Sequence, residues 1–141
     1  MTTTNSPPSV KELDEPRLEA LIETMFIAAF ADGEFSEEER KHFGESIESL
    51  TDRRISGKTL EALLQRMKTD LDAKGQAARL ASVKERLATP GARHAALALT
   101  IQLVASDGII RTSERELLFD LADALEIDRD AAADLVKQIA G

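Results

Sequence analysis

The chain has 141 residues and a mass of 15.4 kDa, with 18 basic and 26 acidic side chains and a net charge of −8. This length suits one domain, and the acidic balance disfavours nucleic-acid binding, because phosphate contacts require clustered Lys and Arg. With no Cys, Trp or Tyr and only five Phe, the sequence has no means of forming disulfides, thiolate nucleophiles or Cys-built zinc sites, and it disfavours an aromatic platform that stacks on bases.

The beginning of the chain, MTTTNSPPS, is polar and uncharged. It lacks the basic and apolar regions of a signal peptide, so residues 1–10 are predicted to form a flexible tail before a helical domain of residues 11–141. The longest apolar stretch, residues 95–105, is too short to cross a bilayer, which takes about 20 apolar residues. We therefore expect a cytoplasmic protein.

Helical periodicity runs through the first half of the chain. Apolar residues spaced three and four apart predict a first helix over about residues 16–31, with its stop at Asp32-Gly33. Ser36 followed three residues later by Glu39 is a capping-box pattern and predicts the start of a second helix. The predicted buried residues of these two helices are Leu18, Leu21, Ile22, Met25, Phe26, Ala29, Phe43, Ile47 and Leu50.

Two further helices are predicted between about residues 56 and 88. The third begins near Ser56 and ends before Gly75, and the fourth covers about residues 76–88. Their predicted buried residues are Leu60, Leu63, Leu64, Met67, Leu71, Leu80, Val83 and Leu87.

The second half of the chain is predicted to hold three more helices. Thr89-Pro90 opens the fifth, which continues to about Ser106 and is apolar nearly all round, as expected of a helix at the centre of a bundle. A sixth covers about residues 112–125, and Asp128 is predicted to cap a seventh. No segment alternates with the period of two that is typical of strands, so the expected fold is an all-α, single-domain bundle of about seven helices.

A short motif occurs twice, once in each half of the chain. When the chain is aligned with itself so that Asp32-Gly33 falls on Asp107-Gly108, Glu39-Arg40 falls on Glu114-Arg115. In the same alignment Leu60 and Leu64 fall on Leu135 and Ile139. The repeat predicts pseudo-symmetric halves, in which the first three helices match the last three and the fourth helix connects them.

Each copy of the motif places acidic groups around a tight turn. The glycine can adopt a positive φ, and the glutamate lies in the first turn of the next helix, where the helix dipole favours a carboxylate. The spacing equals the second half of an EF-hand loop. The first half does not fit, because its ligand positions are Ala28 and Phe30 in one copy and Leu103 and Ala105 in the other.

Two interpretations of these acidic turns are open. If the turns come together, Asp32, Glu39, Asp107 and Glu114 would offer four carboxylates to Ca²⁺ or Mg²⁺; if they lie apart, each has two carboxylates and binding should be weak. Alternatively, the acidic residues only cap helices, with Glu39 closing a box with Ser36. We name the turns the acidic corners: Asp32 to Glu39, and Asp107 to Glu114.

Catalytic patterns are sparse. Glu39 and His42 have the spacing of one half of a di-iron motif, but the position equivalent to His42 in the second copy is Leu117. The sequence has no phosphate-binding, dinucleotide-binding or nucleophile-elbow motif. A metal-dependent hydrolase or oxidase is therefore disfavoured, and we expect a protein that is not an enzyme.

A seven-helix chain with Ala31-Asp32-Gly33…Glu39 early and Ser106-Asp107-Gly108…Glu114 late resembles the TerB tellurite-resistance family. The related domain of membrane-anchored J-domain co-chaperones is similar, and the resemblance covers about residues 16–140. It implies an all-α bundle with pseudo-symmetric halves, a divalent-cation site at acidic residues, and a role in tellurite resistance or stress response. It also implies protein partners, some at the membrane, and no catalytic activity. The alternative is an interaction module without metal, whose acidic surface docks a basic partner segment.

Overall fold

A computed structural model of the protein describes residues 14–29, 37–105 and 112–140, except for the side chains of residues 39, 112–114 and 140. No β-strand occurs within these ranges, so the prediction of an all-α bundle is confirmed. The predicted tail, residues 1–10, lies outside the described residues. The described helices are α1 (Glu15–Ala29), α2 (Glu37–Leu50), α3 (Gly57–Lys74), α4 (Gln76–Arg86), α5 (Pro90–Ala105), α6 (Thr112–Ala124) and α7 (Arg129–Ala140).

The helix boundaries follow the local sequence signals. The Thr89 hydroxyl accepts a hydrogen bond of 3.2 Å from the Ala92 N–H, which confirms Thr89 as the N-cap of α5. α3 ends immediately before Gly75, whose N–H donates to the Leu71 carbonyl at 2.9 Å. α4 ends at Arg86, slightly before the predicted end at residue 88.

Two helices form the centre of the bundle. α5 is central, as predicted, and its most extensive contact is with α1. α1 is even more enclosed, because Leu18 and all residues from Ala20 to Ile27 are buried. The amphipathic pattern predicted a single buried face for α1. The structure covers the helix on several sides, since it contacts α3, α4, α5 and α6.

The buried apolar residues divide into two clusters. The first joins α1, α2, α3 and α4 to the first part of α5, and the second joins α5, α6 and α7 to Ile27 of α1 and Leu80 of α4. α4 therefore contributes apolar residues to both clusters, with Val83 in the first and Leu80 in the second. Such burial supplies most of the stability of helices of this length.

The ends of α2 and α6 share a hydrogen-bond pattern, although Arg53 after α2 also has a positive φ, of 59°, and its counterpart Ile127 after α6 does not. Asp52 and Glu126 have positive φ angles of 55° and 60°, and the next residue in each case donates its N–H to a carbonyl five residues earlier. These bonds join Arg53 to Glu48 and Ile127 to Ala122, at 2.7 Å each. This 6→1 pattern with a left-handed residue is the Schellman motif that ends many helices.

The repeat does not keep a constant offset through the third helix of each half. One alignment places the start of α6, Thr112, on the start of α2, Glu37. The same alignment places the start of α7 on Arg54, three residues before α3 begins at Gly57. The connection before α7 is shorter, so Leu60 and Leu135 do not occupy equivalent positions in their helices. The pseudo-symmetry of the halves stays a prediction.

Gly75 is the single residue between α3 and α4, and it has φ 88° and ψ 162°. Only glycine adopts this region readily, so Gly75→Ala should lower the free energy of unfolding by about 1–3 kcal/mol, although a Cβ there would meet nothing within 4 Å.

Gly44→Ala is the matched control. Gly44 lies inside α2, and a Cβ there would make an ordinary contact of 3.8 Å with Leu60 Cδ2 of α3, so this change should stabilise by about 0.5–1 kcal/mol. Urea unfolding measures both; equal effects would contradict the conformational argument.

Candidate functional site

The acidic corners are only partly described by the structure. Asp32 and Asp107 lie outside the described residues, and so do the side chains of Glu39 and Glu114. The backbone positions of the two glutamates are nevertheless clear, because each is the third residue of its helix, α2 or α6. Both glutamates thus lie in a first helical turn, as the sequence predicted.

The two helices that lead into the corners pack against each other. α1 precedes the corner of Asp32, α5 precedes the corner of Asp107, and α1 and α5 share the most extensive helix–helix contact of the bundle. Among the side chains that the structure describes, which do not include those of Glu39 and Glu114, no three from His, Asp or Glu come close enough together to hold a metal ion. The grouping of the four predicted carboxylates therefore stays a prediction.

A different ionic cluster is fully described, and we call Glu23, Arg79 and Arg86 the Glu23 clamp. Glu23 lies in the middle of α1 with 2% of its side chain exposed. Arg79 of α4 donates from Nε to Glu23 Oε2 at 2.6 Å and from Nη2 to Oε1 at 2.9 Å. Arg86 Nη2 donates to the same Oε1. Both carboxylate oxygens are thus engaged, which leaves Glu23 unsuited to act as a base or a metal ligand.

The helix register explains why the two arginines meet one carboxylate. Arg79 and Arg86 are separated by about two turns of α4, so they project from the same face. The hydrogen bond with Glu23 raises the pKa of the Arg79 guanidinium, and the nearby charges of Glu23 and Asp70 act in the same direction. Asp70 of α3 lies 3.9 Å from Arg79 Nη2. One buried carboxylate therefore pairs with two cations, and Asp70 supplies a second negative charge near Arg79.

Local sequence patterns assign no role to Glu23. A signal was nevertheless present, because Glu23 is the only charged residue between Ala20 and Ala29. Once α1 is recognised as a central helix, a charge in that stretch must be buried and therefore paired. Its partners lie on α4, far along the chain, beyond the reach of a local pattern.

A second cluster joins the end of α4 to α5 and to the turn after α6. Glu126 accepts hydrogen bonds from Lys84 at 2.9 Å and from Arg93 at 3.5 Å, and the bond from Lys84 is the main cause of a lowered Glu126 pKa. Arg93 also donates to the carbonyls of Leu87 at 2.6 Å and Lys84 at 3.1 Å. Arg93 therefore satisfies carbonyls that the C-terminal end of α4 leaves open.

A shallow cleft separates α4 from α6. Its floor is formed by small or apolar side chains, and one basic and one acidic residue, Lys84 and Asp120, stand at its edges. Ala77 and Ala81 are exposed within it. The residues that line the cleft are Gln76, Ala77, Leu80, Ala81, Lys84, Asp120 and Ala124.

Comparison with known proteins assigns the chain to a family. Among the described residues, none of the helices is long and apolar enough to cross a bilayer. No curated protein and no solved structure matches the chain. The model of one protein family does match, over residues 18–137, and its description is tellurite resistance protein TerB. Because this match covers most of the 141 residues and agrees with the seven-helix bundle, the chain belongs to the TerB family of tellurite resistance proteins.

Proposed function

We propose that this protein is a non-enzymatic, cytoplasmic TerB domain that acts through protein partners, some at the membrane, in tellurite resistance or a related stress response. The family match over residues 18–137 carries this proposal. The Glu23 carboxylate is not available for catalysis, because both of its oxygens accept hydrogen bonds from guanidinium groups in the Glu23 clamp. Function then depends on surfaces and loops, since a fold by itself does not determine an activity.

We further propose that the acidic corners bind Ca²⁺ or Mg²⁺ through Asp32, Glu39, Asp107 and Glu114. Hard cations of this kind prefer carboxylate oxygens. Two described features support the proposal: Glu39 and Glu114 occupy the same position in α2 and α6, and the helices that precede the corners pack against each other. A shared site would require both corners to lie at the same end of the α1–α5 contact.

Calorimetric titration with calcium or magnesium chloride tests the cation proposal. We expect a heat of binding that is lost in Asp32→Asn/Asp107→Asn. The control is Asp130→Asn/Asp134→Asn, which removes the same charge from exposed positions of α7 and should leave the heat unchanged. A flat titration of the unchanged protein at millimolar cation, or equal loss in both double variants, would refute the site.

The alternative is a metal-free interaction module that binds a basic partner segment. The exposure of Glu37, Glu38 and Glu45 along α2 supports it, because these three carboxylates are accessible. They outnumber the exposed basic side chains that lie among them, Arg40 and Lys41. Such binding would weaken with added salt, since exposed charges are screened over about 10 Å at 0.1 M ionic strength. A flat metal titration together with salt-sensitive binding of a Lys-rich peptide would identify this function.

A further inference from the structure

We propose that α4 is a releasable segment of the bundle, which leaves its position on α1 while the other helices stay folded, and that the charge of Glu23 controls this release. The contacts along the two long sides of α4 and at its two ends support this release, and none of them involves the acidic corners.

The inner side of α4 is held by charge as well as by apolar contact. Val83 is buried there, but the same face also carries Arg79 and Arg86, whose side chains are only 13% and 24% exposed. Two nearly buried cations are tolerated because Glu23 lies between them. If a neutral side chain replaced Glu23, both guanidinium groups would stay desolvated without their main partner, and such a state costs more than exposure to water.

The outer side of α4 is weakly covered. The cleft runs between α4 and α6, and it leaves Gln76, Ala77 and Ala81 exposed. Alanine side chains contribute little apolar burial, so most of the apolar burial on this side comes from Leu80, which also lines the cleft and packs into the second cluster. The contact with α1, which combines apolar burial with the Glu23 clamp, is therefore the most extensive of the contacts that hold α4 in place.

The two ends of α4 are joined differently to the rest of the bundle. At the C-terminal end Lys84 pairs with Glu126, and Arg93 donates to the Lys84 and Leu87 carbonyls, so release requires that these polar bonds break. Gly75 alone joins α4 to α3, and a glycine with a positive φ gives that joint unusual backbone freedom. Residues 87–89 separate α4 from α5. With 11 residues, α4 is shorter than the roughly 12–15 residues that an isolated helix needs. Once off α1 it would unravel and expose Leu80, Val83 and Leu87, as local unfolding units do.

Thiol accessibility tests the release directly, because the chain contains no Cys. Val83→Cys places a probe on α4 and Thr100→Cys places one on α5, at two positions that are 0% exposed. We expect the position-83 thiol to react with an aromatic disulfide reagent at least tenfold faster than the position-100 thiol. Its rate should also depend little on dilute urea, since local opening exposes little surface. Equal rates with the same urea dependence would show that α4 opens only when the whole bundle unfolds, and would overturn the proposal.

The control by Glu23 is tested by adding Glu23→Gln to the Val83→Cys protein. This change should accelerate the reaction at position 83 by at least tenfold. The position-83 thiol should still react at least tenfold faster than a position-100 thiol in the same Glu23→Gln background, because whole-bundle unfolding would expose both positions equally. Glu19→Gln is the matched control: Glu19 lies one turn earlier on α1 and is paired with Arg66, but it is 30% exposed and does not touch α4 through that pair. We expect less than a twofold change from it. If Glu23→Gln does not fold, Arg86→Gln, which leaves the Glu23–Arg79 pair intact, should still give a severalfold acceleration. Acceleration no greater than that of Glu19→Gln would exclude Glu23 as the controlling group.

Discussion

Glu23→Gln is expected to lower the free energy of unfolding by about 3–5 kcal/mol, the cost of removing one member of a buried ion pair. Gln has nearly the shape of Glu, so the loss would not come from a cavity. Its neutral amide cannot compensate Arg79 and Arg86, whose side chains remain largely desolvated. Urea unfolding monitored by helical circular dichroism measures the change.

Glu126→Gln is the matched control for this prediction. Glu126, like Glu23, contacts two basic side chains, Lys84 and Arg93, but its side chain is 60% exposed. Water and salt screen such pairs, so their contribution is small and the two substitutions should differ clearly. An equal loss in the free energy of unfolding for both variants would show that burial does not strengthen the Glu23 clamp. It would also contradict the role of Glu23 in holding α4.

Phe26→Ala should also cause a large loss, of about 3–5 kcal/mol, because it removes a fully buried aromatic ring. Phe26 is 1% exposed in α1, and its ring meets that of Phe43 from α2 edge to face, with centroids 6.1 Å apart and planes inclined at 74°. The substitution would leave a cavity at the contact between the two helices. Thermal or urea unfolding measures the loss.

Phe119→Ala provides the comparison for Phe26. Phe119 of α6 packs against the second apolar cluster but is only partly buried, and the Arg129 guanidinium lies 5.6 Å from its ring centroid. Because water already reaches this ring, truncation should cost less than half of the Phe26 value. A larger effect at Phe119 would mean that α6, rather than the α1–α2 contact, limits the stability of the bundle.

Stability and the proposed cation binding depend on different residues of this chain. Its stability depends on α1, which carries both Phe26 and Glu23 through the centre of the bundle. Its proposed cation binding depends on the acidic corners, which follow α1 and α5 in the chain. Substitution in the Glu23 clamp should thus lower the free energy of unfolding without removing any proposed metal ligand. Asp32→Asn/Asp107→Asn should instead weaken metal binding without removing an apolar core side chain.

Local sequence patterns predicted the helices closely. The spacing of Leu60, Leu63, Leu64 and Met67 defined the buried face of α3, and Gly75 and Thr89 marked helix ends where the structure places them. Such signals work because periodicity and capping depend on residues within one or two turns of each other. The same reasoning identified α5 as central, since it has hardly any polar face.

The tertiary structure alone decided the position of α1 and the role of its one buried charge. From the sequence, α1 was an ordinary amphipathic helix and Glu23 had no assigned partner. Packing of α1 against α3, α4, α5 and α6 removed Glu23 from water, and α4 supplied Arg79 and Arg86 from a distant part of the sequence. The sequence determined where helices begin and end because those choices are local. Which charge becomes buried depends on long-range packing, because desolvation is set by every helix that surrounds the side chain.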